Sequence, residues 1–370
     1  MTPWRPAPLT RWHWLLPAAL LAAGTAAVYL LDLDRRITRP FYDPAGPPFW
    51  PVGDGQPWAF IYQWGMFPAL LLAGAGLILL AGGMARARPW PRWAGALILL
   101  SLLLGPLLVT NVALKDYWGR PRPRSVIEFG GERPFQPVLV PTFRDQEASF
   151  PGGHSAGGFS LLVLYFVLRG RRPGWAWGAL GAAALLGSAA TWARIAQGGH
   201  FFSDGLWAAG VDYFSAWAVA QGLSRWSAHR GPPRALSRRA RAAIRGVAAL
   251  LLAGLLLAYA GNLPIQRHLD WRVPLPPGTT SIYLELRAPT EYVHTVEVPG
   301  VADVRIYATL SGPGWPWAGL TGQGEVLGVE SGELRLRYGA RAVGVGESAV
   351  LAYEVFTPSG MELRGERIAP

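Results

Sequence analysis

Seven stretches of the chain are long and nearly uncharged: residues 14–31, 58–84, 93–114, 156–168, 175–193, 201–223 and 247–263 consist mainly of Leu, Ala, Gly, Val and Trp. About 20 apolar residues carry a helix across the hydrocarbon core of a bilayer, and a helix satisfies its own backbone there. The seven stretches are therefore predicted as membrane-spanning helices, with 156–168 long enough only if its helix begins in the polar residues before it. The first stretch exceeds the apolar core of a signal peptide, and no small-residue cleavage site stands out before Asp32, so it is read as a retained anchor. Charged residues make up 15% of the 370 against about 25% in soluble domains, which fits a membrane protein and excludes a disordered one.

Cysteine is absent, which removes disulfides, thiol nucleophiles and Cys-ligated metal. A net charge of +11 would suggest nucleic acid, but the cations cluster between apolar stretches, as the positive-inside rule requires. Arg residues around 5–11, 86–92, 169–172 and 225–245 number fifteen, against ten Lys and Arg in 32–57, 115–155 and 194–200. The N-terminus is accordingly expected in the cytoplasm. Segments 32–57, 115–155, 194–200 and 264–370 are expected outside, with no nucleic-acid partner.

From Pro264 the composition changes: nine Arg face twelve Asp and Glu. Runs such as Ser281–Arg287, Val304–Ala308, Glu333–Tyr338 and Val350–Phe356 alternate apolar and polar residues. That period of two predicts half-buried strands, and the short spacing predicts a small antiparallel sandwich or barrel.

The chemistry lies in the external segments. The chain's one Lys opens Lys115-Asp-Tyr-Trp-Gly-Arg-Pro-Arg122-Pro123; Phe150-Pro-Gly-Gly-His154 and Arg194-Ile-Ala-Gln-Gly-Gly-His200-Phe-Phe-Ser-Asp204 follow. Lys and Arg offer charge-assisted donors to phosphoryl oxygens and stabilise charge in the transition state. One neutral imidazole can attack phosphorus while a second, protonated, donates to the leaving oxygen. Asp204, four residues after His200, would fall on the same helical face if the sixth span begins near there, and could then hold the other ring nitrogen. Gly152 and Gly153 let the backbone approach an anion, with their amides at a helix start. A zinc site built from the His pair and Asp204 is the weaker alternative, because no further His or Cys accompanies them. Arg120, Arg124, Arg133 and Arg144 are read as interfacial anchors, and His13, His229, His268 and His294 as surface residues. Asp212, a carboxylate inside the sixth stretch, is either functional or structural.

These segments resemble the three-part signature of the type 2 phosphatidic-acid phosphatase superfamily, K-x6-R-P, P-S-G-H and S-R-x5-H-x3-D, in order across residues 58–223. The resemblance implies a metal-independent, cofactor-free lipid phosphatase working through a phosphohistidine. His200 would be the nucleophile, Asp204 its partner and His154 the general acid. Lys115, Arg122 and Arg194, with Gly152 and Gly153, would bind phosphate. Two positions depart from the signature: Gly152 and Ala193 stand where the family has Ser, the first removing a hydroxyl donor. Trp118–Pro123, Phe129–Phe135 and Ala196–Asp204 look like bacterial lipid A phosphatase relatives, while undecaprenyl pyrophosphate and phosphatidylglycerol phosphate are substrates of similar enzymes.

The expected fold class is an α-helical polytopic membrane protein, a six-helix phosphatase core plus one further span, with a C-terminal all-β domain. Residues 1–57 form the anchor span and an external loop, 58–223 the catalytic core, 224–263 a basic cytoplasmic loop and the seventh span, and 264–370 the external β domain. A lipid phosphotransferase using the same intermediate, and a weakened lipid-binding scaffold motivated by Gly152, are the alternatives. The β domain's partner is unassigned.

Overall fold

The structure, a computed structural model, describes residues 6–44, 49–53, 55–143, 148–228, 236–287, 293–298, 302–345 and 350–368. They fall into two compact units, one drawn from Met1–Tyr42 and Val52–Leu257, the other from Asp43–Pro51 and Ala258–Pro370.

The first unit is helical: α1 (Trp12–Leu30), α2 (Leu33–Thr38), α3 (Trp58–Trp64), α4 (Phe67–Ala85), α5 (Pro89–Leu102), α6 (Lys115–Trp118), α7 (Gly153–Phe159), α8 (Val163–Leu168), α9 (Pro173–Ala196), α10 (Phe202–Ala228) and α11 (Arg238–Gly261). Leu103–Leu114 continues α5 as a π-helical stretch around Pro106. Proline has no N–H to donate to the preceding turn, and the Pro106 carbonyl accepts from the Asn111 side-chain amide (2.7 Å).

Among the described residues, five helices are long and apolar enough to cross a membrane: Trp12–Leu30, Trp58–Ala85, Pro89–Leu114, Pro173–Ala196 and Arg238–Gly261. The other two predicted spans fall on different kinds of helix. Gly153–Leu168 is shorter and interrupted by a 3-10 turn at Ser160–Leu162, while α10 carries Asp204, Asp212 and Arg225 along its 27 residues. The basic residues 238–245, expected in a loop, form the first turns of α11.

Small residues bring the helices together, as bilayer packing favours: a Cβ on Gly95 would lie 2.4 Å from the Leu80 backbone nitrogen, so α4 and α5 touch main chain to main chain. Trp93, Leu97 and Ile98 of α5 form one core with Val163, Phe166 and Val167 of α8 and Ala216 and Ala220 of α10. The first helix belongs to this packing. Thr25 accepts from the Trp207 indole (3.2 Å), Tyr213 donates to the His13 carbonyl (2.9 Å), and His13 lies 3.0 Å from the Arg169 guanidinium. Thus α1 begins beside the C-terminal end of α8 and delivers α2 to the opposite end of the unit.

The second unit contains β1 (Leu263–Pro274), β2 (Ser281–Arg287), β3 (Val293–Val298), β4 (Asp303–Glu330), β5 (Glu333–Val345), β6 (Val350–Pro358) and β7 (Glu362–Ile368). Strand order is β3-β6-β4-β5-β2-β7, with β1 on β4. All four predicted runs are strands, and their alternation fills one core: Ile282, Leu284, Leu286, Val304, Ile306, Leu334, Leu336, Tyr353 and Val355 are buried together. The antiparallel expectation needs correcting, because the sheet is mixed. β1, β5 and β6 pair antiparallel with β4, but β2 pairs parallel with β5 and β7, and β3 with β6. Alternation reports which face is buried and says nothing of strand direction.

Candidate active site

Each of the three segments supplies its side chains through a local device. Lys115 opens α6, directly after the π-helical stretch, and its Nζ lies 3.4 Å from where a Cβ on Gly153 would stand, so the first segment meets the start of α7. Arg194 sits in the last turn of α9. Beyond it Gly198 turns at φ +61°, and the amides of Gly199 and His200 donate back to the Arg194 carbonyl (2.8 and 3.3 Å). A Cβ on Gly199 would fall 2.3 Å from Arg194 Nη2, so only glycine lets the guanidinium lie across this turn. The Gly152 N–H donates to the Asp204 carbonyl (3.1 Å), which joins the second segment to the third. That amide is therefore engaged, which corrects the expectation that the Gly152 amide faces an anion.

His200 is 3% exposed and Asp204 fully buried. His200 Nδ1 faces Asp204 Oδ2 at 3.5 Å, longer than a formed hydrogen bond, a spacing common before substrate draws a site together. This orientation turns His200 Nε2 away from Asp204. Burial, with Arg194 and Arg122 nearby, pushes the His200 imidazole down to about 4 against the opposing pull of Asp204. The ring is thus neutral, with a lone pair available, at neutral pH. Arg194, His200, Lys115 and Arg122 all act electrostatically on His154. His154 Nε2, His200 Nδ1 and Arg194 Nε are buried without a hydrogen-bond partner among the described residues. Buried polar atoms are normally paired; His200 Nδ1 faces Asp204, which leaves the orphaned His154 Nε2 and Arg194 Nε as the atoms that point to a ligand.

Tyr62 of α3 was not anticipated. Its ring stacks on His154 (centroids 4.8 Å apart, 26° between planes), and the Arg194 guanidinium lies 4.5 Å from its centroid. Arg194 Nη1 also donates to Gln197 Oε1 (2.5 Å), whose amide reaches the Gly53 carbonyl (3.2 Å).

The interfacial reading of Arg120 is overturned: its side chain is fully buried. Nη1 pairs with Asp204 Oδ1 and donates to Ser203 Oγ (2.8 Å), Nη2 pairs with Asp34 (2.8 Å), and Nε donates to the Gln136 carbonyl (3.0 Å). Ser149 donates to Asp204 Oδ2 (2.6 Å), as does the Phe201 amide (2.8 Å). Asp34, Arg120, Ser149 and Tyr62 escaped sequence reasoning because none lies at a signature position. The available signal was a carboxylate, Asp34, at a span boundary facing a strongly cationic loop. Arg124 and Arg133 are exposed, and Arg144 lies outside the described residues. Asp212 is buried with neither carboxylate oxygen hydrogen-bonded among the described residues. It stands eight residues beyond Asp204, about 12 Å along α10, beside Gly105.

A buried histidine beside a carboxylate, a second histidine and several cationic side chains thus meet at one place among long apolar helices. Residues 94–228 match the PAP2 superfamily. The chain is 30% identical over 217 residues to a lipid A 4'-phosphatase of Francisella tularensis subsp. novicida, covering 57% of this chain and 96% of that protein. Over 106 residues it is 36% identical to a lipid A 4'-phosphatase of Rhizobium leguminosarum, covering 28% of this chain and 44% of that one. The crystal structure of a transmembrane PAP2-type phosphatidylglycerolphosphate phosphatase from Bacillus subtilis aligns at 20% identity with a TM-score of 0.36, covering 59% of this chain and all of that one. The chain belongs to the PAP2 superfamily of membrane phosphatases.

Proposed function

We propose that this protein removes a phosphate monoester from a lipid A-type glycolipid at the outer face of the inner membrane, through a phosphohistidine at His200 and without a metal. The observation that carries the reading is the convergence of neutral, buried His200 with His154 and Arg194, whose Nε2 and Nε have no hydrogen-bond partner among the described residues. The relative from Francisella, matched over 96% of its length, supports the choice of lipid.

In the first step His200 Nε2 bonds to phosphorus as the bond from phosphorus to the lipid oxygen breaks, and His154, which takes up a proton beside the negative charge of the bound phosphate, gives that oxygen its proton. Lys115, Arg122 and Arg194 bear the charge that grows on the phosphoryl oxygens, and Asp204 faces the imidazolium formed at Nδ1. In the second step His154 takes a proton from water, whose oxygen bonds to phosphorus as the N–P bond breaks. Phosphate leaves and both histidines return to their starting states.

Seven spans with a cytoplasmic N-terminus, and with the site and β domain outside, complete the proposal. The arginine asymmetry supports it. So does the arrangement within the helical unit: His13 meets Arg169 and Arg171 lies over Trp90 (4.6 Å), so three cation-rich segments share the end away from His200.

The test is phosphate release by detergent-purified protein, in chelator, from lipid A, phosphatidylglycerol phosphate, phosphatidic acid and undecaprenyl pyrophosphate, beside His200→Ala. Release from lipid A that survives chelation and vanishes in the variant, with an acid-labile phosphoprotein trapped only in the unaltered chain, is expected. Preference for another lipid overturns the substrate. A phosphorylated lipid product in place of free phosphate points to transfer, and lipid binding without turnover to the scaffold reading.

A further inference from the structure

We propose that Asp34 and Arg120 are positioning residues for this reaction: together they hold Asp204 against His200 and keep its negative charge from being cancelled. The proposal rests on His200 being the nucleophile.

Asp34 lies on α2, before the residues matched to the PAP2 superfamily, and is 1% exposed. Its Oδ1 accepts from the Ser203 amide (2.8 Å); its Oδ2 accepts from Ser203 Oγ (2.7 Å) and Arg120 Nη2 (2.8 Å). Arg120 spends its fork on Asp34, Ser203, Asp204 and the Gln136 carbonyl, with one face 4.7 Å from the Phe201 ring centroid. Asp204 Oδ1 is thereby claimed by Arg120. Oδ2 keeps the Ser149 hydroxyl, the Phe201 amide and the His200 ring. A planar fork gripping two carboxylates fixes the plane of each, so the direction in which Asp204 offers Oδ2 is set by Asp34, a residue that does not touch His200.

Charge gives the pair its second role. A buried guanidinium matched only with Asp204 would cancel the carboxylate's field at His200. Asp34 is the second anion, and Asp34, Arg120 and Asp204 together carry a net charge of about −1. His200 otherwise faces Arg194 and Arg122, with His154 across the site. The phosphorylated imidazole is cationic when Nδ1 holds its proton, so the residual negative charge stabilises the intermediate rather than the bound substrate. The Asp34 carboxylate bonds to Arg120 and Ser203 and to none of Lys115, Arg122 or Arg194. Its removal is therefore expected in kcat and not in KM.

Full-length Asp34→Asn, Asp34→Glu and the double variant Asp34→Asn with Arg120→Gln test this on lipid A, read as kcat, KM and the rate of phosphoprotein formation. Asp34→Asn is expected to lower kcat and phosphoprotein formation by at least about 30-fold with KM within about twofold. The double variant removes the excess cation and is expected to recover at least about fivefold of that loss. A double variant no better than the single one overturns the charge role and leaves only the holding of Asp204, and an Asp34→Asn protein with unchanged kcat overturns the whole proposal. Should Asp34→Asn not accumulate as folded protein, Asp34→Glu decides. With its charge kept it should retain kcat within about tenfold, and a kcat as low as that of His200→Ala refutes the idea. Phosphate release by the unaltered chain without a phosphoprotein at His200 refutes the underlying mechanism. A phosphoprotein together with an inert Asp34→Asn refutes this proposal alone.

Discussion

Tyr62 gives a quantitative handle on how the site is held. Replacing it by Ala removes one ring that serves two residues: the His154 imidazole stacked at 4.8 Å and the Arg194 guanidinium 4.5 Å from its centroid. A cation–π contact in a desolvated setting contributes about 1–2 kcal/mol, and a stacked ring pair about 1 kcal/mol beyond the area it buries. Some of this reappears as new rotamers of His154 and Arg194, so about 2 kcal/mol of transition-state positioning should be lost. At about 1.4 kcal/mol per tenfold that is roughly a 30-fold drop in kcat/KM, measured as phosphate release from lipid A in mixed micelles. Tyr62→Phe keeps the ring and should stay within about threefold of the unaltered protein. A Tyr62→Ala protein within threefold of normal, or a Tyr62→Phe protein as damaged as Tyr62→Ala, would refute the reasoning; the second outcome would move the role to the hydroxyl.

Three further outcomes are expected. Gly199→Ala puts a Cβ 2.3 Å from Arg194 Nη2, so the guanidinium must leave its place and kcat/KM should fall at least about tenfold with little change in thermal stability. Gly152→Ser restores the family's hydroxyl, but its Cβ would meet Ser155 Oγ at 2.9 Å. By itself it should lower unfolding free energy by about 1–2 kcal/mol, read in thermal melts, and Ser155→Gly in the same chain should recover most of the loss. His200 is near 4 in the folded protein and about 6.5 unfolded, so the unfolded chain takes up the proton first. Its contribution to stability is intact above pH 6.5 and lost as pH falls toward 4. Between pH 7 and 4.5 the unaltered protein should therefore lose more thermal stability than His200→Gln, and parallel losses would contradict the assignment.

What could be read from the chain follows from local physics. An apolar run near 20 residues has few choices other than a span, and strict alternation in Ser281–Arg287 or Glu333–Tyr338 permits only a strand with one buried face. The spacing of His200 and Asp204 suggested a shared helical face; the two do meet, but α10 begins only at Phe202, so His200 reaches Asp204 from the turn before the helix. The spans at 156–168 and 201–223 were less legible. A break at Ser160–Leu162 and the charges along α10 depend on what the helix packs against.

The sequence by itself determined the membrane class and the β-rich tail, each written in periodicity within one element, and the order of the three segments that hold Lys115, Arg122, His154, Arg194, His200 and Asp204. Only the tertiary structure decided that the sheet is mixed, that Arg120 is buried, and that Asp34 and Tyr62 belong to the site. Strand direction depends on how connections cross. Asp34 and Arg120 are 86 residues apart, and Tyr62 and His154 come from different helices. No local pattern encodes such pairs; they arise when α1 packs along α10 and carries α2 to the buried side of Asp204, where two carboxylates and one guanidinium must satisfy one another away from water.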